Sequence, residues 1–234
     1  MEQGALSLAS PPEASWVLDT ADSTEWLAGR APRSIDLIIT DPAYESLEKH
    51  REHGTTTRLT NDWFEIFRND RFGEWFHMAY RALRPNAHLY VFCDQETMFV
   101  LKPLGEAAGF RFWKPLVWDK VAIGMGYHYR ASYELILFFE KGERRLNDLG
   151  MRDVLTHKRI LNGYPTEKPV ELIRKLVEQS SEPGEVVADP FMGSGSTGVA
   201  SVLSGRRFWG CDLSPRSIDW AQPRLEAAQR GLWG

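Results

Sequence analysis

The sequence predicts a doubly wound α/β fold with a mostly parallel sheet, on three observations. Short apolar runs alternate along the chain with helix-like segments, the pattern of a sheet covered by helices. Most of these runs are continuous and do not alternate in polarity, as strands buried on both faces require. Two Asp-Pro segments, Thr40-Asp41-Pro42-Ala43-Tyr44 and Asp189-Pro190-Phe191-Met192-Gly193-Ser194-Gly195-Ser196-Thr197-Gly198, each follow such a run. They therefore sit outside the carboxyl ends of strands, where open α/β sheets place their sites.

The strand candidates are Trp16 to Leu18, Ile35 to Ile39, His88 to Cys93, Leu116 to Trp118, Leu135 to Phe139, Glu185 to Ala188 and Arg207 to Cys211. Between them, helix-like segments run from about Ser23 to Gly29, Asp70 to Leu83, Glu96 to Ala108, Glu167 to Gln179, Ser196 to Leu203 and Pro215 to Gln229. Arg84-Pro85-Asn86 and Gly109 punctuate helix ends, and Thr166 is placed to cap a helix whose first turn holds Pro169. Residues 1 to 14 carry small, polar and proline residues without periodicity and are expected to form a disordered tail. One domain over 15 to 234 is expected, because 234 residues with 43% hydrophobic content can bury a sizeable core.

Composition excludes several classes. No apolar run approaches a bilayer span, and the first residues lack the basic start and apolar centre of a signal peptide. Cys93 and Cys211 each end an apolar run with Asp immediately after, which suggests buried thiols in a reducing cytoplasm and offers no spaced metal quartet. His50 and His53 lack a third ligand at a recognisable spacing, so no metal is expected. A formal charge of -4 advertises no nucleic-acid partner globally, and any such contact must come from local basic patches.

Gly193, Gly195 and Gly198 match Gly-x-Gly-x-x-Gly after a strand and at the start of a helix. Such glycines let the backbone turn sharply and approach a ligand closely. Asp212 ends the next strand candidate, where a carboxylate could accept hydrogen bonds from both hydroxyls of a ribose. On pattern alone this pair fits a nicotinamide dinucleotide as well as another nucleoside cofactor. Position argues against the dinucleotide. Only some 36 residues follow Gly198, too few for the strands that usually come after a first dinucleotide-binding turn, so the rest of the sheet must precede it.

Asp41-Pro42-Ala43-Tyr44 supplies the second half of the site. Pro42 restricts Asp41 to an extended backbone and fixes its own dihedral, so the turn holds the Asp41 carboxylate and the following carbonyls as a rigid array of acceptors. An exocyclic amino group of adenine or cytosine has its lone pair delocalised into the ring. Two acceptors can draw that nitrogen toward tetrahedral geometry and free the lone pair for in-line attack on a sulfonium methyl. Tyr44 is placed to stack on the base.

With these motifs in this order, the chain resembles the amino-group (N6-adenine or N4-cytosine) DNA methyltransferases of the beta arrangement. Asp41-Pro42-Ala43-Tyr44 is similar to their catalytic Asp-Pro-Pro-Tyr, and Asp189 to Gly195 to their Asp-Pro-Phe-x-Gly-Ser-Gly cofactor loop. Tyr164-Pro165-Thr166-Glu167-Lys168-Pro169 resembles the segment that closes over methionine, and Ala21-Asp22-Ser23 a Gly-Asp-Ser turn beside the cofactor. The resemblance runs from about Trp16 to Leu225. It implies a Rossmann-like, S-adenosylmethionine-dependent methyltransferase fold with circularly permuted motif order, acting on a flipped base of double-stranded DNA.

By that resemblance, Asp41, Pro42 and Tyr44 are catalytic, and Asp189, Phe191, Gly193, Ser194, Gly195 and Asp212 hold the cofactor. Thr166 and Lys168 border its methionine end, although Lys168 also fits a solvated first-turn lysine. Asp22 fits a cofactor ligand and, equally, a helix N-cap. Asp at the first catalytic position favours adenine N6 modestly over cytosine N4. Rival readings are a nicotinamide oxidoreductase, a nucleic-acid binding module without turnover, and a methyltransferase for RNA or a protein amide. Relatives of the last kind place the glycine loop first. A homodimer and a partner restriction nuclease are raised by the resemblance alone.

Two departures stand out. Ala43 replaces the family's usual second proline, which removes one dihedral lock. Only a short insert, 141 to 163, occupies the place where many relatives carry a larger target-recognition region. It sets Lys141, Arg144, Arg145, Arg152, Lys158 and Arg159 against Glu143, Asp148 and Asp153, and Arg144, Arg145, Lys158 and Arg159 are its candidates for phosphate binding. The polar stretch 45 to 61, with Arg51 and Arg58, suits a mobile loop over the site. Tyr127 and Tyr129 are candidates for base stacking or core edging, and the nine tryptophans fit core positions.

Overall fold

The computed structural model describes residues 15–48, 65–124, 128–161 and 163–231. The expected tail, most of the loop 45 to 61 with Arg51 and Arg58, and Tyr127 lie outside the described residues. The strands are β1 (Trp16–Thr20), β2 (Ile35–Thr40), β3 (Leu83–Cys93), β4 (Arg111–Asp119), β5 (Tyr133–Lys141), β6 (Val154–Thr156), β7 (Val186–Asp189) and β8 (Arg207–Asp212). They form one sheet of order β1-β8-β7-β2-β3-β5-β4-β6. Both pairings of β5 are antiparallel and the other five are parallel, as a mostly parallel sheet requires.

Helices cover both faces. On one face, α1 (Ser23–Gly29), α2 (Phe72–Ala82) and α3 (Gln95–Ala107) bury Trp26, Leu27, Phe72, Trp75, Phe76 and Leu101 against the sheet. On the other, α4 (Val170–Ser180), α5 (Ser196–Leu203) and α6 (Pro215–Gln229) contribute Leu172, Ile173, Leu176, Val177, Val199, Ala221 and Leu225. The pleat divides β2 accordingly. Ile38 packs toward the first group, and Leu37 and Ile39 toward the second. No helix among the described residues is long and apolar enough to cross a membrane.

Three expectations are corrected and one strand, β6, is added. α4 begins at Val170 with Pro169 as its cap, and Thr166 caps nothing. Proline disfavours helical backbone in the residue before it, so Lys168 and Glu167 stay outside the helix, with Glu167 closing a turn on Tyr164 (N to O, 3.0 Å). Arg84-Pro85-Asn86 is no gap between helix and strand. β3 already starts at Leu83, and its register against β2 slips between Ile35 and Leu37 while Asn86 takes a φ of 58°. β6 carries little signal in the sequence because it is three residues long on the sheet edge, with only its central residue buried. Of the tryptophans, Trp26, Trp75 and Trp118 are core, whereas Trp113 stands 54% exposed beside a slip in the β4 register.

Cys93 and Cys211 are both buried and unpaired. The packing of α5 on β8 depends on Gly198. A Cβ there would lie 2.7 Å from the Phe208 ring and 3.0 Å from Leu225, much closer than carbon atoms tolerate. Gly198→Ala is expected to lower stability by about 1–3 kcal/mol, read as a drop in urea midpoint without a change in slope.

Candidate active site

β2 and β7 are neighbours, paired through Leu37 with Val187 and Ile38 with Ala188. The chain leaves β2 toward the α2 face and β7 toward the α5 face, so a crevice opens between their carboxyl ends. There the two Asp-Pro segments meet. Thr40 Oγ1 donates to Asp189 Oδ1 at 2.8 Å, across 149 residues of sequence. The cavity above them has a volume of about 850 Å³ and is lined by residues 40–44, 164–168 and 189–194, with Asp22, Ser196, Thr197 and Asp212.

Asp189 is 4% exposed and both its oxygens are used. Besides Thr40, it accepts from Thr197 Oγ1 at 2.7 Å and from the Phe191 amide at 3.1 Å, which closes the cofactor loop on itself. Burial lifts its pKa to about 7 in spite of these donors. Gly193 and Gly195 adopt φ of 46° and 75°, left-handed values that a side chain would strain. The Gly193 amide donates to Asp212 Oδ2 at 2.9 Å and the Ser214 amide to Oδ1 at 2.9 Å. Burial holds the Asp212 pKa above its ordinary value. The Asp212 carboxylate also accepts a hydrogen bond from the Ser217 side chain and lines the cavity. Ser194 is buried, its hydroxyl 3.1 Å from that of Ser196. The loop thus presents a backbone cradle with a carboxylate at one end, which fits a nucleoside.

Asp22 is the N-cap of α1 and lies in the cavity lining. Its Oδ1 caps α1 through the Thr24 amide at 2.9 Å, and its Oδ2 meets Arg71 at 2.7 Å at the cavity wall. Burial works against its charge, but Arg71 and the cap amides hold the pKa below the usual range. Phe191 lies edge-on to Phe67 at 5.0 Å between ring centres. Tyr44 lines the cavity while only 8% exposed, with Phe67 bridged to it. Thr166 lies in the lining of the same cavity. The segment 164–168 is clamped by Arg224, which donates to Glu167 Oε1 and to the Ser194 carbonyl, both at 2.5 Å.

Lys168 is not a solvated lysine. Its side chain is 11% exposed, and its ammonium contacts Asp41 Oδ2 closely and Glu134 Oε1 at 3.1 Å. Lys120 closes the chain of charges at 2.8 Å from Glu134 Oε2. Burial raises the Asp41 pKa, and Lys168 opposes it. For Lys168 burial is the opposing influence, and the two carboxylates raise its pKa. Burial likewise opposes ionisation of Glu134, yet Lys168 and Lys120 together hold its pKa low. Sequence reasoning missed Glu134, Lys120 and Arg224. Each stands within ordinary surroundings in the sequence; the pairing of β4 with β5 brings Glu134 and Lys120 to the cavity, and the placing of α6 brings Arg224 to the glycine loop.

The basic insert divides. Lys158 and Arg159 follow β6, whose Thr156 pairs with Asp119 at the carboxyl end of β4, and Arg159 lines the cavity. Arg144 and Arg145 stand at the opposite end of the sheet, just after Lys141, which pairs with Ala87. The Arg144 side chain is 13% exposed and lies 3.8 Å from Glu182 and 3.9 Å from Glu185, so its charge is committed within the fold. The structure does not bring these two arginines to the site. Tyr129 is fully exposed and edges no core.

An Asp-Pro-x-Tyr turn facing a glycine-loop cradle on one cavity, with the cradle last in the chain, is the arrangement expected of an amino-methyltransferase. The N6/N4 DNA methylase family model matches residues 35–223. The chain belongs to the DNA methylase family. It is 33% identical over 205 residues to YubD, a methylase by name, from Escherichia coli (strain K12), covering 85% of each chain. It is 28% identical over 240 residues to the Type II methyltransferase M2.DpnII of Streptococcus pneumoniae, covering 90% of each. In fold it superposes on TTHA0409 of Thermus thermophilus, a DNA modification methylase by title, solved with S-adenosyl-L-methionine. The TM-score is 0.68 at 22% identity, over 92% of this chain and 96% of that one.

The buried Asp189 makes stability depend on pH. The folded chain keeps the Asp189 proton up to about pH 7, whereas an unfolded Asp releases it near 3.8. Its contribution to stability is therefore complete below about 3.8 and is lost as pH rises through about 7, with an upper bound of about 4 kcal/mol. Asp189→Asn removes this titration. Its melting temperature is expected to fall less than the parent's between about pH 5 and pH 8, as read by calorimetry.

Proposed function

We propose that the protein transfers a methyl group from S-adenosylmethionine to the exocyclic amino nitrogen of a base flipped out of double-stranded DNA, with adenine N6 preferred to cytosine N4. The observation that carries this reading is the meeting of Asp41 and the glycine cradle on one cavity. Asp at the first catalytic position supports adenine. Flipping is needed because the nitrogen must meet the methyl in line, an approach that the stacked duplex blocks.

S-adenosylmethionine, when bound, supplies an electrophilic sulfonium methyl. Asp22, Phe191, Gly193, Ser194 and Asp212 would hold its nucleoside, Thr166 would border its methionine end, and Asp189 with Gly195, whose Cα faces Ala221 and Leu225 of α6 rather than the cavity, would shape the loop from beneath. Asp41 and the Pro42 carbonyl accept hydrogen bonds from the target amine and turn its lone pair toward the methyl. When the nitrogen acquires its fourth bond it must shed a proton. Asp41, whose basicity burial increases, is the acceptor at hand. Tyr44 stacks on the base. Phosphate contacts fall to Lys158 and Arg159 on the cavity side, with Arg51 and Arg58 joining them from outside the described residues.

The names of the Type II relatives support a place beside a restriction nuclease, and dimerisation of this chain belongs to the same proposal. The buried, unpaired thiols of Cys93 and Cys211 support a reducing cytoplasm.

Asp41→Ala is expected to lower methyl transfer to duplex DNA by about 1000-fold or more, because it removes both an acceptor and the proton's destination. Binding of S-adenosylmethionine, measured by calorimetry, should stay within about threefold of the parent, since Asp41 lies outside the cradle. Transfer at the parent rate would remove Asp41 from the chemistry.

A further inference from the structure

One oxygen of the carboxylate that should receive the target amine is already occupied. Lys168 holds Asp41 Oδ2, so an incoming amino group competes with an ammonium ion for the same acceptor. A buried ammonium cannot be released into the cavity without a counter-charge, since desolvation of an isolated ion costs several kcal/mol. The structure provides one. Glu134 Oε1 lies 3.1 Å from the same Nζ, and the Glu134 side chain is 12% exposed. Lys120 at 2.8 Å neutralises Glu134 from beyond, at the more exposed end of the chain of charges. Two anions and two cations alternate, so Lys168 can shift its weight between Asp41 and Glu134 without leaving a bare charge.

We propose that Glu134, balanced by Lys120, is a positioning residue for methyl transfer: it draws the Lys168 ammonium back from Asp41 and so frees the carboxylate for the target amine. This rests on the function proposed above. Glu134 comes from the start of β5, Lys120 from just beyond β4 and Lys168 from just before α4. The dock thus lies on the side of the cavity away from the cofactor cradle, where the target base would enter. Lys168 therefore serves the target amine rather than the methionine end of the cofactor.

The groups facing Asp41 set the direction of every test. Lys168 and Lys120 favour its ionised form, and Glu134 opposes it. Asp189, Tyr44 and Cys93 also lie within its field. Glu134→Gln removes the repulsion and leaves Lys168 to Asp41 alone, so the proton affinity of Asp41 falls. Lys168→Met removes the closest cation, and the affinity rises. Lys120→Met strengthens the hold of Glu134 on Lys168, and the affinity rises again. Lys120 is the most exposed of the four, so this variant covers the case in which Glu134→Gln does not fold.

The measurement is the titration of the Asp41 carboxyl carbon by NMR in the full chain, assigned through Asp41→Asn, beside the pH profile of kcat/KM on duplex DNA. The expected result is a displacement of about tenfold or more in proton affinity, downward for Glu134→Gln and upward for both lysine variants, with the acid limb of kcat/KM moving in step. Displacements in one common direction, or a uniform loss of rate with no movement of the limb, overturn the proposal, because a merely structural role produces those. The NMR titration needs no turnover. A parent that binds S-adenosylmethionine but methylates neither base overturns the functional reading, whatever the titration shows.

Discussion

Two chain segments 149 residues apart must end at the same height on adjacent strands for this site to exist, and the hydrogen bond from Thr40 to Asp189 fixes that height. Thr40 is the residue before Asp41, and Asp189 opens the glycine loop. A bond between them holds the Asp-Pro turn and the glycine loop in one frame, and Thr197 and the Phe191 amide complete the frame by closing the loop on the same carboxylate. In-line transfer tolerates little misplacement, because a displacement of about 1 Å can cost about 100-fold in rate. Placing the frame in the buried sheet rather than on surface loops is what makes such precision attainable.

The second feature of the site is its density of charge in little water. Asp41, Lys168, Glu134 and Lys120 form an alternating chain along one wall, while Asp22 with Arg71 and Glu167 with Arg224 guard the other margins. Each buried ion has its partner, as the cost of desolvation demands. The pairs differ in role. Arg224 joins the segment 164–168 to the glycine loop, whereas the Lys168 contact lies across the acceptor assigned above to the target amine.

The fold was legible because its signals are local. Continuous apolar runs such as Ile35 to Ile39 mark strands buried on both faces, and Gly193, Gly195 and Gly198 carry conformational and packing demands that other residues meet badly. The two motifs were legible for the same reason, since Pro42 and the glycines encode backbone shape in few residues. What stayed hidden depends on distant neighbours. Glu134 and Lys120 look like ordinary strand-end charges until β4 and β5 pair. Arg144 and Arg145 look like a phosphate patch until the insert is seen to run from one end of the sheet to the other, leaving only Lys158 and Arg159 on the cavity side. Charge in a loop says that water is near; it does not say at which end of a strand the loop lies.

The central claim is that one crevice joins amine activation to methyl donation. It is tested most directly by incubating the protein with labelled S-adenosylmethionine and duplex DNA, digesting the DNA to nucleosides and separating the products. Label in N6-methyladenine is the predicted result, and label in N4-methylcytosine would change the base while keeping the chemistry. Absence of label from both nucleosides, with the cofactor shown to bind, would contradict the account.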